Sequence, residues 1–231
     1  EMSNDPNNPG LAFADASPGH RFFLSGVYRR EYFNFGATSI SAYWETRTIG
    51  NASYIFSGDI NGDGGTSNDL LYIHRNTSEM NFQDIPGFTA AQQAAAWDAY
   101  ISQDPYLSER RGEYAVRGAV FLPMVHRLDL SVTQDVFANL GGERHRFQFR
   151  VDMVNFGNML NSNWGVSQRL VNNQPLIVPT AAQGGVVDSQ GRMQYRMRVI
   201  NNQLMSRSYE QTADINDVWK VMFSLKYFFG S

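Results

Sequence analysis

Apolar and polar residues alternate with a period of two along several stretches of this chain, the spacing at which successive side chains of a β-strand point to opposite faces. The runs His20–Tyr32 (HRFFLSGVYRREY) and Ala37–Thr48 (ATSISAYWETRT), separated by a short Asn/Gly turn, read as a hairpin over 20–48. In the second run Thr38, Ile40, Ala42 and Trp44 share one face, opposite Ser39, Ser41, Tyr43 and Glu45. Further on, Leu128, Leu130 and Val132 alternate with Arg127, Asp129, Ser131 and Thr133, and Phe147, Phe149, Val151 and Met153 with Arg146, Gln148, Arg150 and Asp152. The short Gly-rich turn Asn139-Leu140-Gly141-Gly142 joins these two runs. A weaker strand is expected in GVSQRLV and another in RMQYRMRVI, with Met193, Tyr195, Met197 and Val199 on one face. The final run sets Trp219, Val221, Phe223, Leu225, Tyr227 and Phe229 against Lys220, Met222, Ser224, Lys226 and Phe228.

Between the strand-rich ends, residues 50–118 form a long Gly/Asn/Asp-rich insertion with one expected helix. Thr89 followed by Gln92 makes a capping box, and AAQQAAAWDAYI has helical propensity up to Asp104-Pro105. The alternation predicts about six or seven strands, too few to close a wide barrel alone. Repeated Arg and Asp on the polar face, the asymmetry of loop lengths and the aromatic-rich last strand favour a transmembrane barrel over a soluble β-sandwich, whose alternation is otherwise the same. A structural barrel subunit of a larger outer-membrane assembly is a second reading. A soluble sandwich adhesin is a third.

Composition sharpens this picture. Aromatic residues make up 13% of the 231 residues and charged residues only 18%, below the roughly 25% usual for soluble domains. No window approaches the roughly 18 apolar residues of a membrane-spanning helix, a test that alternating barrel strands escape. A net charge of -3, with Lys220 and Lys226 the only lysines, leaves no nucleic-acid footprint. Cysteine is absent. The opening EMSNDPNNPG shows no charged-then-apolar leader, and the chain is expected to be a piece of a longer protein.

Asp59-Ile60-Asn61-Gly62-Asp63-Gly64 matches the first half of a calcium loop, with oxygen-bearing side chains at positions 1, 3 and 5 and glycine at position 6. Position 12 is Leu70 in place of a bidentate glutamate, and Asn68 and Asp69 fall just before it. The expected ligands of a calcium ion are therefore Asp59, Asn61, Asp63, Asn68 and Asp69; the alternative is a Gly/Asp/Asn turn with no ion. The histidines His20, His74, His126 and His145 show no metal-ligand spacing, and neither a G-x-S-x-G elbow nor a P-loop occurs. No enzyme activity is expected. Arg127, Asp129, Arg146, Arg150 and Asp152 either line a wet lumen or pair across strands.

Four blocks, GDINGDGGTSNDLLYI, QDPYLSERRGEYAVRGAVFLPMVHRLDLSVTQDV, FRVDMVNFGNMLNSNWG and VWKVMFSLKYFF, occur in this order. Together they resemble the C-terminal barrel of Oar-like TonB-dependent receptors of Bacteroidetes, which carry an N-terminal carboxypeptidase-regulatory-like domain. The resemblance covers most of the chain from His20 onward. It implies an all-β, antiparallel outer-membrane barrel of roughly 22 strands, of which 1–231 is one segment: hairpin 20–48, long extracellular loop 50–118 and C-terminal strands 126–229. It also implies energy-driven uptake of a bulky substrate. The partners would be the lipid bilayer, an N-terminal plug, the remaining barrel strands, the TonB system acting through the plug, and other outer-membrane proteins.

Overall fold

The structure, a computed structural model, describes residues 10–229. The rest of the Asn/Pro/Gly opening, and Gly230-Ser231 at the end, lie outside the described residues. The chain is mostly β-structure with few helices, and no described helix is long and apolar enough to cross a membrane. It divides into two compact units, each assembled from segments distant in sequence. Among the described residues, one contains 10–17, 50–122 and 169–210; the other contains 18–49, 123–168 and 211–229.

The second unit is a five-stranded antiparallel sheet of β1 (Arg21–Tyr32), β2 (Gly36–Arg47), β3 (Val125–Leu140), β4 (Glu143–Val154) and β5 (Lys220–Phe228), hydrogen-bonded in that order. Its register carries the alternation across every strand. Leu24 lies opposite Trp44, and Trp44 opposite Leu128; Ile40 lies opposite Val132, Val132 opposite Val151, and Val151 opposite Phe223. One face is therefore largely aliphatic and aromatic, broken by the polar row Arg30, Thr38 and Gln134, and it is open: Leu24 is 70% exposed and Phe223 78%. The other face carries Arg29, Glu45, Asp135, Arg150 and Asp152, with Phe23, Val27, Phe137, Met222 and Phe228 among its apolar residues. A soluble sheet buries its apolar face; here Asp135, on the polar face, is 1% exposed.

At one end of this sheet β1 turns into β2 over residues 33–35 and β3 into β4 through Gly141 and Gly142, both with positive φ that suits a tight turn. At the opposite end the chain leaves for the long excursions 48–124 and 155–219. There Asn155 takes a left-handed conformation, its amide donating to Asp129 Oδ1 at 2.7 Å and its side-chain nitrogen to the Asp217 carbonyl at 2.9 Å. Arg127 closes this knot on the Asp217 carboxylate at 2.8 Å, which fixes the chain just before β5.

The first unit has an aromatic core. Tyr54, Phe56, Leu71 and Ile73 pack with Trp97, Tyr100 and Ile101 of helix α1 (Ala90–Gln103) and with Leu176, Tyr195 and Met197. The Thr89/Gln92 capping box is present at the start of α1. The insertion holds more than the one expected helix, since Asp104 both ends α1 and caps a short second helix, α2 (Pro105–Ser108), while Thr77–Glu79 forms a 3-10 turn. Trp97 and Tyr100 stack at 5.4 Å inside the core. The run RMQYRMRVI does not form one strand: Arg196–Met197 and Val199–Ile200 pair in two separate ribbons, and Met193 and Tyr195 make single bridges to Val187 and Phe82. Tyr195 and Met197 are drawn into the core of the first unit, and this burial satisfies the alternation. GVSQRLV is likewise reduced to Gln168–Leu170.

Candidate functional site

The Asp59–Asp69 loop lies within the first unit and is closed at its base by backbone bonds, Phe56 N–H to the Asp69 carbonyl and Gly58 N–H to the Thr66 carbonyl, each at 2.9 Å. Inside it the oxygen-bearing side chains organise the backbone. Asp59 accepts from the amides of Gly62 at 2.6 Å and Gly64 at 2.9 Å, Asn61 Oδ1 from that of Asp63 at 2.9 Å, and Asp63 Oδ1 from that of Gly65 at 2.7 Å. Gly62 and Gly64 have positive φ, the conformation for which glycine is needed. Asn61 and Asn68 donate their side-chain nitrogens to Asp63 Oδ2 at 3.2 and 2.9 Å. A Cβ at Gly65 would lie 2.3 Å from Asn68 Oδ1, so glycine there leaves room for that amide.

Asp69 closes the loop from beneath. It is 2% exposed, and its Oδ2 accepts from the Ile60 amide at 2.9 Å. Its Oδ1, like Asn68 Oδ1, is buried with no hydrogen-bond donor among the described residues. Burial, reinforced by the Asp63 and Asp59 charges, pushes the Asp69 carboxyl up from its ordinary value. Asp63 moves the other way, held low chiefly by the Gly65 amide and further by Asn61 and Asn68. The structure thus brings all five sequence-expected residues into one loop. Among the described residues no three His, Asp or Glu side chains converge tightly enough to hold a metal by themselves; the donor set here is three aspartates spread along the loop together with two asparagines. Oxygen-only donors of this kind suit a hard cation such as calcium.

The charges of the polar sheet face have defined contacts. Arg29 Nη1 and Gln148 Nε2 both bond Asp135, at 2.8 and 2.9 Å, Arg150 pairs with Asp152 at 2.7 Å, and the Arg146 guanidinium lies 3.9 Å over the Phe228 ring. Among the sequence-expected charges, Arg150 and Asp152 pair within one strand, Arg127 pairs with Asp217 outside the sheet, and Asp129 accepts from the Asn155 amide.

His74 occupies a place that its spacing in the chain does not reveal. It is buried among Tyr72, Trp97 and Tyr195, with Nδ1 accepting from the Trp97 indole N–H at 3.0 Å. Burial pushes it down to about 4, so it is neutral at physiological pH, and it belongs to the core. Comparison with family models, with curated proteins and with solved structures finds no match to this chain.

Proposed function

We propose that this chain is the C-terminal part of the wall of an outer-membrane β-barrel of the TonB-dependent receptor type, serving energy-driven uptake of a bulky substrate. The observation that carries the barrel reading is the five-strand register with its exposed apolar face on one side and its salt-bridged polar face on the other. Strands of 9 to 16 residues are long enough for the roughly 9–11 that cross a bilayer at a tilt. Short turns at one end and long excursions at the other match the periplasmic and outer ends of such barrels. Unpaired edges on β1 and β5 among the described residues leave places for the strands that would close the wall. The transport assignment is supported by the family resemblance of the four sequence blocks, with the plug and the TonB contact supplied by other parts of the protein. The test is fractionation of the full-length protein. It is expected in the outer-membrane fraction, released only by detergent, with faster gel migration unheated than boiled; a water-soluble protein whose migration is insensitive to heating would overturn the reading.

In the same reading the Asp59–Asp69 loop takes a calcium ion that stiffens an outward-facing excursion, and the two orphaned oxygens on Asn68 and Asp69 support it. Because the Asp69 carboxyl is raised, the folded loop holds a proton more tightly than the unfolded chain. That stability is present at acid pH and lost as pH rises from the ordinary carboxylate range through the raised value. The depressed Asp63 acts with the opposite sign. Asp69→Asn separates the two. Without calcium at neutral pH it should resist protease cleavage in 50–122 better than the native loop, and calcium should add nothing further, whereas the native loop should gain protection with calcium. A native loop that gains no protection with calcium would rule the ion out, and equal gains in the two proteins would remove Asp69 from its ligands.

A further inference from the structure

Every lysine and arginine of the five strands falls on the polar face by register, with one exception. Arg30 lies opposite Thr38, which lies opposite Gln134, in a row of the apolar face next to the short-turn end. It has no carboxylate within ion-pair distance among the described residues, whereas Arg29, its neighbour on the other face, is bonded to Asp135. An unpaired cation on a largely apolar wall needs a counter-charge, and lipid-facing arginines are tolerated best near the membrane interface.

The surroundings of Arg30 say what kind of counter-charge fits. Tyr28, Arg30, Tyr32, Phe33, Thr38 and Ile40 line a groove of about 450 Å³ on this face. Its apolar walls are Tyr28, Phe33 and Ile40. Its polar end is fixed, since the Tyr32 and Thr38 hydroxyls both donate to Gln134 Oε1, at 2.8 and 2.6 Å, and lie 2.9 Å from each other. Those hydroxyls are therefore committed, and the guanidinium is the uncommitted donor at the groove. A planar guanidinium offers two parallel N–H bonds to a phosphate, and the adjoining apolar row suits an acyl chain.

Resting on the barrel reading above, we propose that Arg30 and this groove bind the phosphate headgroup of a phospholipid in the leaflet at the short-turn end, with the acyl chain laid along Tyr28 and Ile40. The site would hold an annular lipid in a defined place and use it to neutralise Arg30, the one Lys or Arg on the apolar face of the five described strands.

The test uses the full-length protein purified in detergent, with retained lipid measured by native mass spectrometry after addition of dioleoyl phosphatidylglycerol, dioleoylglycerol or inorganic phosphate. Arg30→Gln should lower phosphatidylglycerol retention roughly tenfold, as expected for loss of a charge-assisted pair. Arg30→Lys should retain part of it. Arg144→Gln, which removes an equal charge near the same end but on the polar face, should leave retention unchanged. Heat-dependent migration of each variant reports whether it has folded. The proposal is overturned if folded Arg30→Gln retains the lipid as the native protein does, the result expected if a carboxylate on an adjoining strand pairs with Arg30. It is also overturned if dioleoylglycerol is retained equally, or if inorganic phosphate displaces the lipid completely, which would mark a site for free anions. A protein that is soluble without detergent overturns the barrel reading together with this one; intact heat-dependent migration with no effect of Arg30→Gln overturns this one alone.

Discussion

Replacing Val151 with arginine is expected to cost the protein about 2–4 kcal/mol of folding free energy in a bilayer, the cost of placing that side chain at the lipid-facing midplane of a barrel. Val151 lies in the middle of the apolar face, opposite Val132 on one side and Phe223 on the other. Neither neighbour can hydrogen-bond a guanidinium. Ser41→Arg places the same side chain on the polar face, opposite Ser131, which in turn lies opposite Asp152. There the change should stay within about 0.5 kcal/mol, as for ordinary solvated positions. Equilibrium folding of the full-length protein from urea into phosphatidylcholine vesicles measures both. Equal costs for the two substitutions would mean that the two faces meet the same medium, and the lipid assignment would fall.

The second large effect is expected at Asp104, which is wholly buried in the first unit. One carboxylate oxygen accepts from the Tyr106 and Leu107 amides at 2.9 and 2.8 Å, and the other from the Tyr54 hydroxyl at 2.6 Å. Burial pushes the Tyr54 phenol far above its ordinary value, so it stays a donor at any physiological pH. Asp104→Ala removes an N-cap, worth about 1 kcal/mol, and takes the short hydrogen bond from the buried Tyr54 hydroxyl, which keeps the Tyr100 hydroxyl at 3.4 Å, at about 1–3 kcal/mol. With the cavity it leaves, a total of about 3–5 kcal/mol is expected. Tyr54→Phe leaves both amide bonds in place and should cost about 1–2 kcal/mol. Hydrogen exchange of the α1 and α2 amides is the readout, and protection that survives Asp104→Ala would show that the helices are held by packing alone.

How legible the molecule was in its sequence depended on the kind of signal. The five long strands were visible because alternation, or in β1 a β-rich run beside a turn, over nine or more residues suits an extended strand and no helix, and β1 and β2 begin and end within a residue of the expected runs. The run 192–200 alternates just as well, yet its apolar residues find their burial in the first unit, and periodicity does not say which partner satisfies it. That 50–122 and 169–210 would share one core was invisible, because such packing joins residues far apart in the chain and leaves no local pattern. For the loop, the spacing of Asp59, Asn61 and Asp63 could be read directly. The burial of Asp69, which leaves one of its oxygens without a donor, depends on the closure of the loop base and could not.

The interleaving of the two units bears on how the chain reaches its folded state. β1 with β2, and β3 with β4, are joined by tight turns and can pair on the timescale of isolated hairpins, microseconds in order of magnitude. Joining β2 to β3 and β4 to β5 instead requires closing the excursions 48–124 and 155–219. Loop-closure entropy grows only slowly with length but must be met before either pairing is formed. Since most of both excursions condenses into one aromatic core, collapse of that core shortens both closures at once. The first unit then acts as an internal clamp that couples the late strand pairings into a single cooperative step.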